Sequence, residues 1–117
     1  MKESNILMKI IFLIALFLLL PVKAEIPLEK YYKFKDLDVF QEYIWGVSMG
    51  YSWANANLAA DDCAMLFCEP QYLSLNKENI YKILENEIKD YGHLYAKDVP
   101  IAQILFNALS RTFPCDK

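Results

Sequence analysis

The apolar residues of this chain fall into one unbroken run and three spaced series. The unbroken run is Ile10–Leu20, led by Lys2 and Lys9 and followed by Pro21 and Lys23. The first spaced series is Phe40, Ile44, Val47, Tyr51, Ala54 and Leu58, at steps of three and four. That spacing puts all six on one helical face and predicts a long helix from about Asp36 to Ala59. Asp36 is placed to cap its first turn, and Asp38 to meet the positive end of its dipole. Gln41, Ser48, Ser52 and Asn55 form its polar flank. The second series, Ile80, Ile83, Leu84, Ile88 and Tyr91, predicts a helix over Leu75–Tyr91, with Ser74 as N-cap and Gly92 as the residue that ends it. Lys77, Glu78, Lys82, Glu85, Glu87 and Lys89 fall on its solvent side. The third series is Ile101, Ile104, Leu105, Ala108 and Leu109. It predicts a helix starting near Asp98, with Pro100 tolerated in its first turn, that stops at Phe113-Pro114-Cys115. Glu25–Lys35, with Pro27 and mixed charge, reads as an extended arm. Residues 60–73 read as an irregular connection whose Ala64–Phe67 stretch is apolar enough to pack inward. Nothing alternates with period two for long. The expected fold is therefore all-α: a small compact bundle of three main helices, with short ones beside them, stapled by a disulfide.

The long helix carries two further signals. Gly46 and Gly50 are four apart, and each costs about 1 kcal/mol against Ala in a helix interior. Such spacing predicts close approach of another backbone. Trp45, Met49 and Trp53 form a second apolar stripe roughly opposite the first. A helix apolar on two sides is central in its domain or shared with an interface; the central position is expected here, and the three residues are candidates for partner binding.

The N-terminal pattern changes where the chain is placed. Lys2 and Lys9, the apolar run, and Val22-Lys23-Ala24 read as a secretory signal cleaved near Ala24. The alternative is a membrane anchor, but the run is shorter than the roughly 20 residues a spanning helix needs. No lipobox cysteine follows it, which argues against a lipoprotein. Taking residues 1–24 from a chain of 117 leaves a single domain, 25–117, of 93 residues. Three lysines and one glutamate leave with the leader, so the net charge moves from −3 to −5. An acidic surface argues against a nucleic-acid partner, which would need a clustered basic face; it suits a basic protein partner, or solubility alone. The expected location is the periplasm, with no membrane contact after cleavage. In that oxidising compartment two of Cys63, Cys68 and Cys115 should pair. Three connectivities are open, and each leaves one thiol over.

No catalytic set emerges. His93 is the lone histidine and lies beside Gly92 at a helix end. No third residue is placed to orient it against a cysteine. Cys63 and Cys68 do not make a CxxC knuckle, one histidine completes no zinc set, and Asp61-Asp62 is followed by no EF-hand spacing. No glycine loop is built to cradle phosphate. The chain reads as a non-enzyme without metal or cofactor.

Three segments carry a family resemblance. Tyr43-Ile44-Trp45-Gly46-Val47-Ser48-Met49-Gly50-Tyr51 resembles the Y-[IV]-x-G-[VI]-x-x-G helix of the Rap/Tai-type immunity proteins of type VI secretion. Phe67-Cys68-Glu69-Pro70, followed by Leu73-Ser74, resembles that family's C-x-P-x-x-[VL]-[ST] turn. Ala108-Leu109 through Phe113-Pro114-Cys115 is similar to its A-L-x-x-x-[FY]-P-C ending. The order agrees, and the likeness spans about residues 38–115. The resemblance implies an all-α periplasmic domain with Cys68 bonded to Cys115, and a role in neutralising a secreted, peptidoglycan-degrading amidase effector by occluding its active site. It also implies that two copies pair in some members. Cys63 is extra to the two-cysteine pattern. Without the family, the residues still read as a binding module. Its expected partner surface is the connection after the long helix, with Asp61, Asp62 and Glu69 as candidates. The alternative function is a periplasmic stress or folding-helper protein that binds unfolded clients through an exposed apolar face.

Overall fold

The computed structural model describes residues 2–19, 25–70, 73 and 75–116. The elements run α1 Lys2–Leu18, a 3₁₀ turn Leu28–Lys30, α2 Tyr31–Phe34, α3 Asp38–Ala60, α4 Lys77–Tyr91, a second 3₁₀ turn Gly92–Leu94, and α5 Ile101–Thr112. The only β pairing among the described residues is an isolated antiparallel bridge between Pro27 and Pro100. The all-α expectation holds. Compactness does not: the radius of gyration is 20.1 Å, against about 13 Å for a compact chain of this size. The apolar helix α1 is one reason, since it buries none of its residues. No helix among the described residues is long and apolar enough to cross a membrane. Pro21 to Ala24, which carry the expected cleavage site, lie outside the described residues.

The core is built where α3, α4 and α5 meet. Phe40 and Ile44 from α3, Ile80, Leu84 and Ile88 from α4, and Ile101, Ile104, Leu105 and Leu109 from α5 are buried together with Tyr31 and Phe67. Every residue of the expected α5 face is buried. α5 starts later than expected, however, because Pro100 is extended at φ −61°, ψ 136° and serves as the N-cap.

Three local expectations are corrected, and a fourth holds with a different backbone geometry. The 25–35 segment is not an extended arm. Pro27, at φ −77°, leads into the first 3₁₀ turn, and the backbone is stitched to the segment before α5 by Leu28 N–H to Val99 O at 2.9 Å, Glu29 N–H to Lys97 O at 3.0 Å and Ile101 N–H to Ile26 O at 2.8 Å. That pairing seats Tyr31 in the core, where burial holds its hydroxyl pKa far above the usual value. Asp36 does not cap α3: the extended N-cap is Leu37, and Asp36 instead pairs with Lys35 at 3.3 Å. α4 is capped by Asn76, whose side chain accepts the Asn79 N–H at 2.8 Å; Ser74 lies outside the described residues. Gly92 ends α4 as its C-cap, as expected, but in right-handed geometry. Its φ is −55°, and the chain runs on through it as a 3₁₀ turn.

Candidate functional site

The segment that follows α3 is shaped by a backbone device at its start and a clamp at its end. Ala60 is the last helical residue and Asp61 the C-cap. The Asp62 N–H donates to Ala59 O at 3.2 Å, and the Cys63 N–H reaches back to Leu58 O at 2.8 Å. This pair of bonds is a Schellman closure, which places its C′ residue in the left-handed region. That residue is Asp62, at φ 55°, the only positive-φ non-glycine among the described residues. A side chain there costs about 1–2 kcal/mol relative to glycine, less for Asp than for most. The electrostatics are adverse as well. Asp61 and Asp62 stand at the negative end of the α3 dipole, where like charge is disfavoured by about 0.3–1 kcal/mol per group. Neither takes part in an ion pair among the described residues. Two local rules are thus broken at two exposed neighbouring residues.

The far end of the segment is held tightly. Asn55, about one and a half turns inside α3, is buried and uses both ends of its amide. Its Nδ2 donates to Phe67 O at 2.9 Å, and its Oδ1 accepts the Leu66 N–H at 2.7 Å. Phe67 is buried in the core. The next residue, Cys68, donates its N–H to Phe113 O at 2.8 Å and is disulfide-bonded to Cys115. The pairing implied by the resemblance is therefore present, and Cys63 is free and exposed. Between the two anchors, Asp61 to Leu66 are all exposed. The expected inward packing of Ala64–Phe67 holds for Phe67 alone. Glu69, the third acidic candidate, follows the disulfide and is half-buried.

A second network steadies the helix end that carries the staple. Glu87 was expected in solvent, but it is 4 % exposed. Tyr95 donates its hydroxyl to Glu87 Oε1 at 2.7 Å, Arg111 Nε donates to Oε2 at 3.2 Å, and the Arg111 guanidinium lies 4.0 Å from the centre of the Tyr91 ring. The Tyr95 hydroxyl pKa is raised, first by burial and then by its bond to Glu87. The same carboxylate raises that of Arg111. The bonds tie the last turn of α5 to α4, and Phe113 and Cys115 follow directly.

The Trp45/Met49/Trp53 stripe is not central. Trp45 is half-buried against the core, but Met49 is 38 % and Trp53 67 % exposed. α4 and α5 pack on the opposite face of α3. Gly46 and Gly50 show the same thing: a Cβ on either would meet nothing within 4 Å, so no backbone approaches them. Ser48 and Asn55, expected on a polar flank, are buried instead. Ser48 is accommodated by donating to Trp45 O at 2.7 Å within its own helix. No protein-family model, curated protein or solved structure matches this chain. The site therefore stands on its own geometry. Among the described residues no group of three or more His, Cys, Asp or Glu side chains is placed to hold a metal ion. His93 is exposed on the second 3₁₀ turn, far along the chain from the three cysteines.

The sequence marks Asp61 and Asp62 as charges and carries no sign of the bonds that shape the two ends of their segment. Asn55 looked like one polar residue among four, and nothing in its spacing marks Phe67 and Leu66 as its partners. Glu87 sat in a run of charges and carried no local sign of burial.

Proposed function

We propose that this protein is an exported, non-enzymatic inhibitor that binds a secreted peptidoglycan-degrading amidase in the periplasm and occludes its active site with the 61–66 segment. Residues 1–24 act as its leader, and 25–117 as its single working domain. The observation that carries the reading is the exposed Asp61-Asp62 pair, kept at a left-handed turn and at the wrong end of a helix dipole. Strain and charge frustration maintained at an exposed position are features that binding sites show and scaffolds avoid. The clamp at Asn55 and the disulfide at Cys68 limit the ordering cost on binding. The family resemblance supplies the class of partner. Two carboxylates on a rigid turn complement a basic cleft and speed association at low salt. Trp53 and Met49, about two and three turns back along α3, extend the surface with an apolar anchor, and Trp is favoured at such positions.

The test is co-expression. A periplasmic amidase effector should lyse cells that lack the protein and spare cells that export it. An Asp61→Lys, Asp62→Lys variant should fold with a melting temperature at or above that of wild type, since it removes the clash with the helix dipole, yet protect poorly and associate more slowly at low salt. Full protection at an unchanged association rate would remove the segment from the interface and leave the Trp53 face as the contact.

The exposed apolar face favours one other reading, a folding helper that binds unfolded clients through Trp53, Met49 and Val39, the last 74 % exposed. Broad, weak binding to reduced or unfolded proteins, with no saturable complex of fixed stoichiometry, would favour it. Sedimentation of the protein alone reads whether two copies pair through the same face.

A further inference from the structure

The side of α3 turned away from its buried residues carries one continuous line of exposed or half-buried positions. Val39, Tyr43, Gly46, Gly50, Trp53 and Asn57 follow one another at alternating steps of four and three, the spacing of a coiled-coil seam. α3 is 23 residues long, about 34 Å, and none of its residues from 43 to 60 is charged. A solvated helix face ordinarily carries charge; this one carries tryptophan and glycine. At its centre a Cβ on Gly46 or Gly50 meets nothing within 4 Å, so the backbone there is open to close approach from outside. Toward one end Trp53 stands exposed. Toward the other, Val39 and Tyr43 line an apolar hollow of about 370 Å³, walled further by Ile26, Phe34 and Leu37.

We propose that this face is covered by α3 of a second copy of the chain, running antiparallel. The seam is symmetric about position 48: Gly46 and Gly50 are equidistant from it, as are Tyr43 and Trp53, and Val39 and Asn57. A two-fold axis at that point therefore sets seam residue against seam residue along the whole line. Glycine meets glycine at the crossing, where neither side has a Cβ to hold the helices apart. Trp53 comes level with Tyr43 of the other copy, and the hollow beside that tyrosine offers apolar cover for the indole ring. A parallel pair fails on two counts. It would set Trp53 against Trp53 and leave the hollow empty of any seam residue. It would also bring Asp38 to Asp38 and Glu42 to Glu42 as like charges, on chains that are already net negative. In antiparallel order these two carboxylates come level with Leu58 and Ala54, which are uncharged, and the helix dipoles oppose each other. One face thus holds both the projection and the hollow, at matching distances from its centre, which is what self-pairing requires. Pairing covers Trp53, so an effector that anchors there meets the separated chain. The proposal does not rest on the effector reading.

The experiment is sedimentation equilibrium on the exported protein alone, followed by disulfide trapping. A reversible monomer–dimer equilibrium is expected at concentrations up to about 100 μM. Trp53→Gln should weaken it at least about tenfold. Gly46→Leu, Gly50→Leu should abolish it, yet melt no lower than dilute wild type, because both positions are open within one molecule. Trapping reads the direction in a Cys63→Ser background. Across the axis Val39 and Asn57 are level with each other, within reach of a disulfide, while each lies about 27 Å along the helix from its own copy. Val39→Cys alone and Asn57→Cys alone should therefore stay uncross-linked under mild oxidation, and an equal mixture of the two should cross-link. A protein that remains monomeric throughout that concentration range overturns the proposal. So does pairing that survives Gly46→Leu, Gly50→Leu, cross-linking of either variant by itself, or a mixture that fails to cross-link. The co-expression assay on Asp61 and Asp62 is independent of every one of these outcomes.

Discussion

The two long faces of α3 invert the usual distribution of polar and apolar side chains. The inward face buries Ser48 and Asn55 beside Phe40 and Ile44, while the outward face shows Val39, Met49 and Trp53 to solvent around two open glycines. The contrast teaches that polarity alone does not assign a face. A buried amide is acceptable when both its ends are bonded, and the Asn55 amide is bonded at both. An exposed tryptophan is acceptable in a lone molecule, but it leaves apolar area that a partner is able to cover. On one face polar groups are used for structure; on the other apolar groups are left for something else.

Breaking the inward face should have the larger effects. The disulfide that completes its clamp closes a sequence separation of 47 residues. Chain entropy then puts the loss in Cys115→Ser at about 4 kcal/mol, read from urea midpoints. Cys63→Ser, at an exposed free thiol, should stay within about ±0.5 kcal/mol. Asn55→Ala comes next, at about 2–3 kcal/mol, because it strands a buried carbonyl and a backbone N–H together. A loss below about 0.5 kcal/mol would mean that water replaces the amide and the clamp is not structural. On the outward face the sign turns. Gly46→Ala and Gly50→Ala should each stabilise the isolated protein by up to about 1 kcal/mol, which calorimetry of the single variants will show. A loss at either position would restore the close approach that the glycine spacing suggested. Trp53→Gln should be the mildest, within about ±0.5 kcal/mol on melting, and a larger drop would place Trp53 in the core.

What the sequence made legible followed from how uniform each buried face is. The inner face of α5 is wholly aliphatic and small, so its period is read without error from Ile101 to Leu109. α3 was located to within two residues, yet its polar members were misassigned, since a serine bonded inside its own helix and an asparagine bonded across a loop look like any surface residue. The arm was misread because its order comes from backbone bonds to Lys97, Val99 and Ile101, seventy positions away, which no local pattern encodes. The left-handed residue that closes a helix is Asp62, after α3. Asp tolerates that region better than most side chains, so the aspartate was visible as a charge while its backbone role was hidden.

The spacing of the three cysteines also bears on the order of events during oxidation. Cys63 and Cys68 are five residues apart, whereas the native bond spans 47. On loop-closure entropy alone the short ring is favoured by about 2 kcal/mol, roughly thirtyfold in encounter frequency. An unfolded chain meeting an oxidant therefore makes the wrong bond first. Escape from it requires the Cys115 thiolate to attack Cys68 and expel Cys63. That attack needs Cys115 held beside Cys68, which is the geometry set by the Cys68–Phe113 bond, the buried Phe67 and the Asn55 amide. If the short ring does form first, the native bridge is a late, edited product, made once the helices have met, with Cys63 as the leaving group.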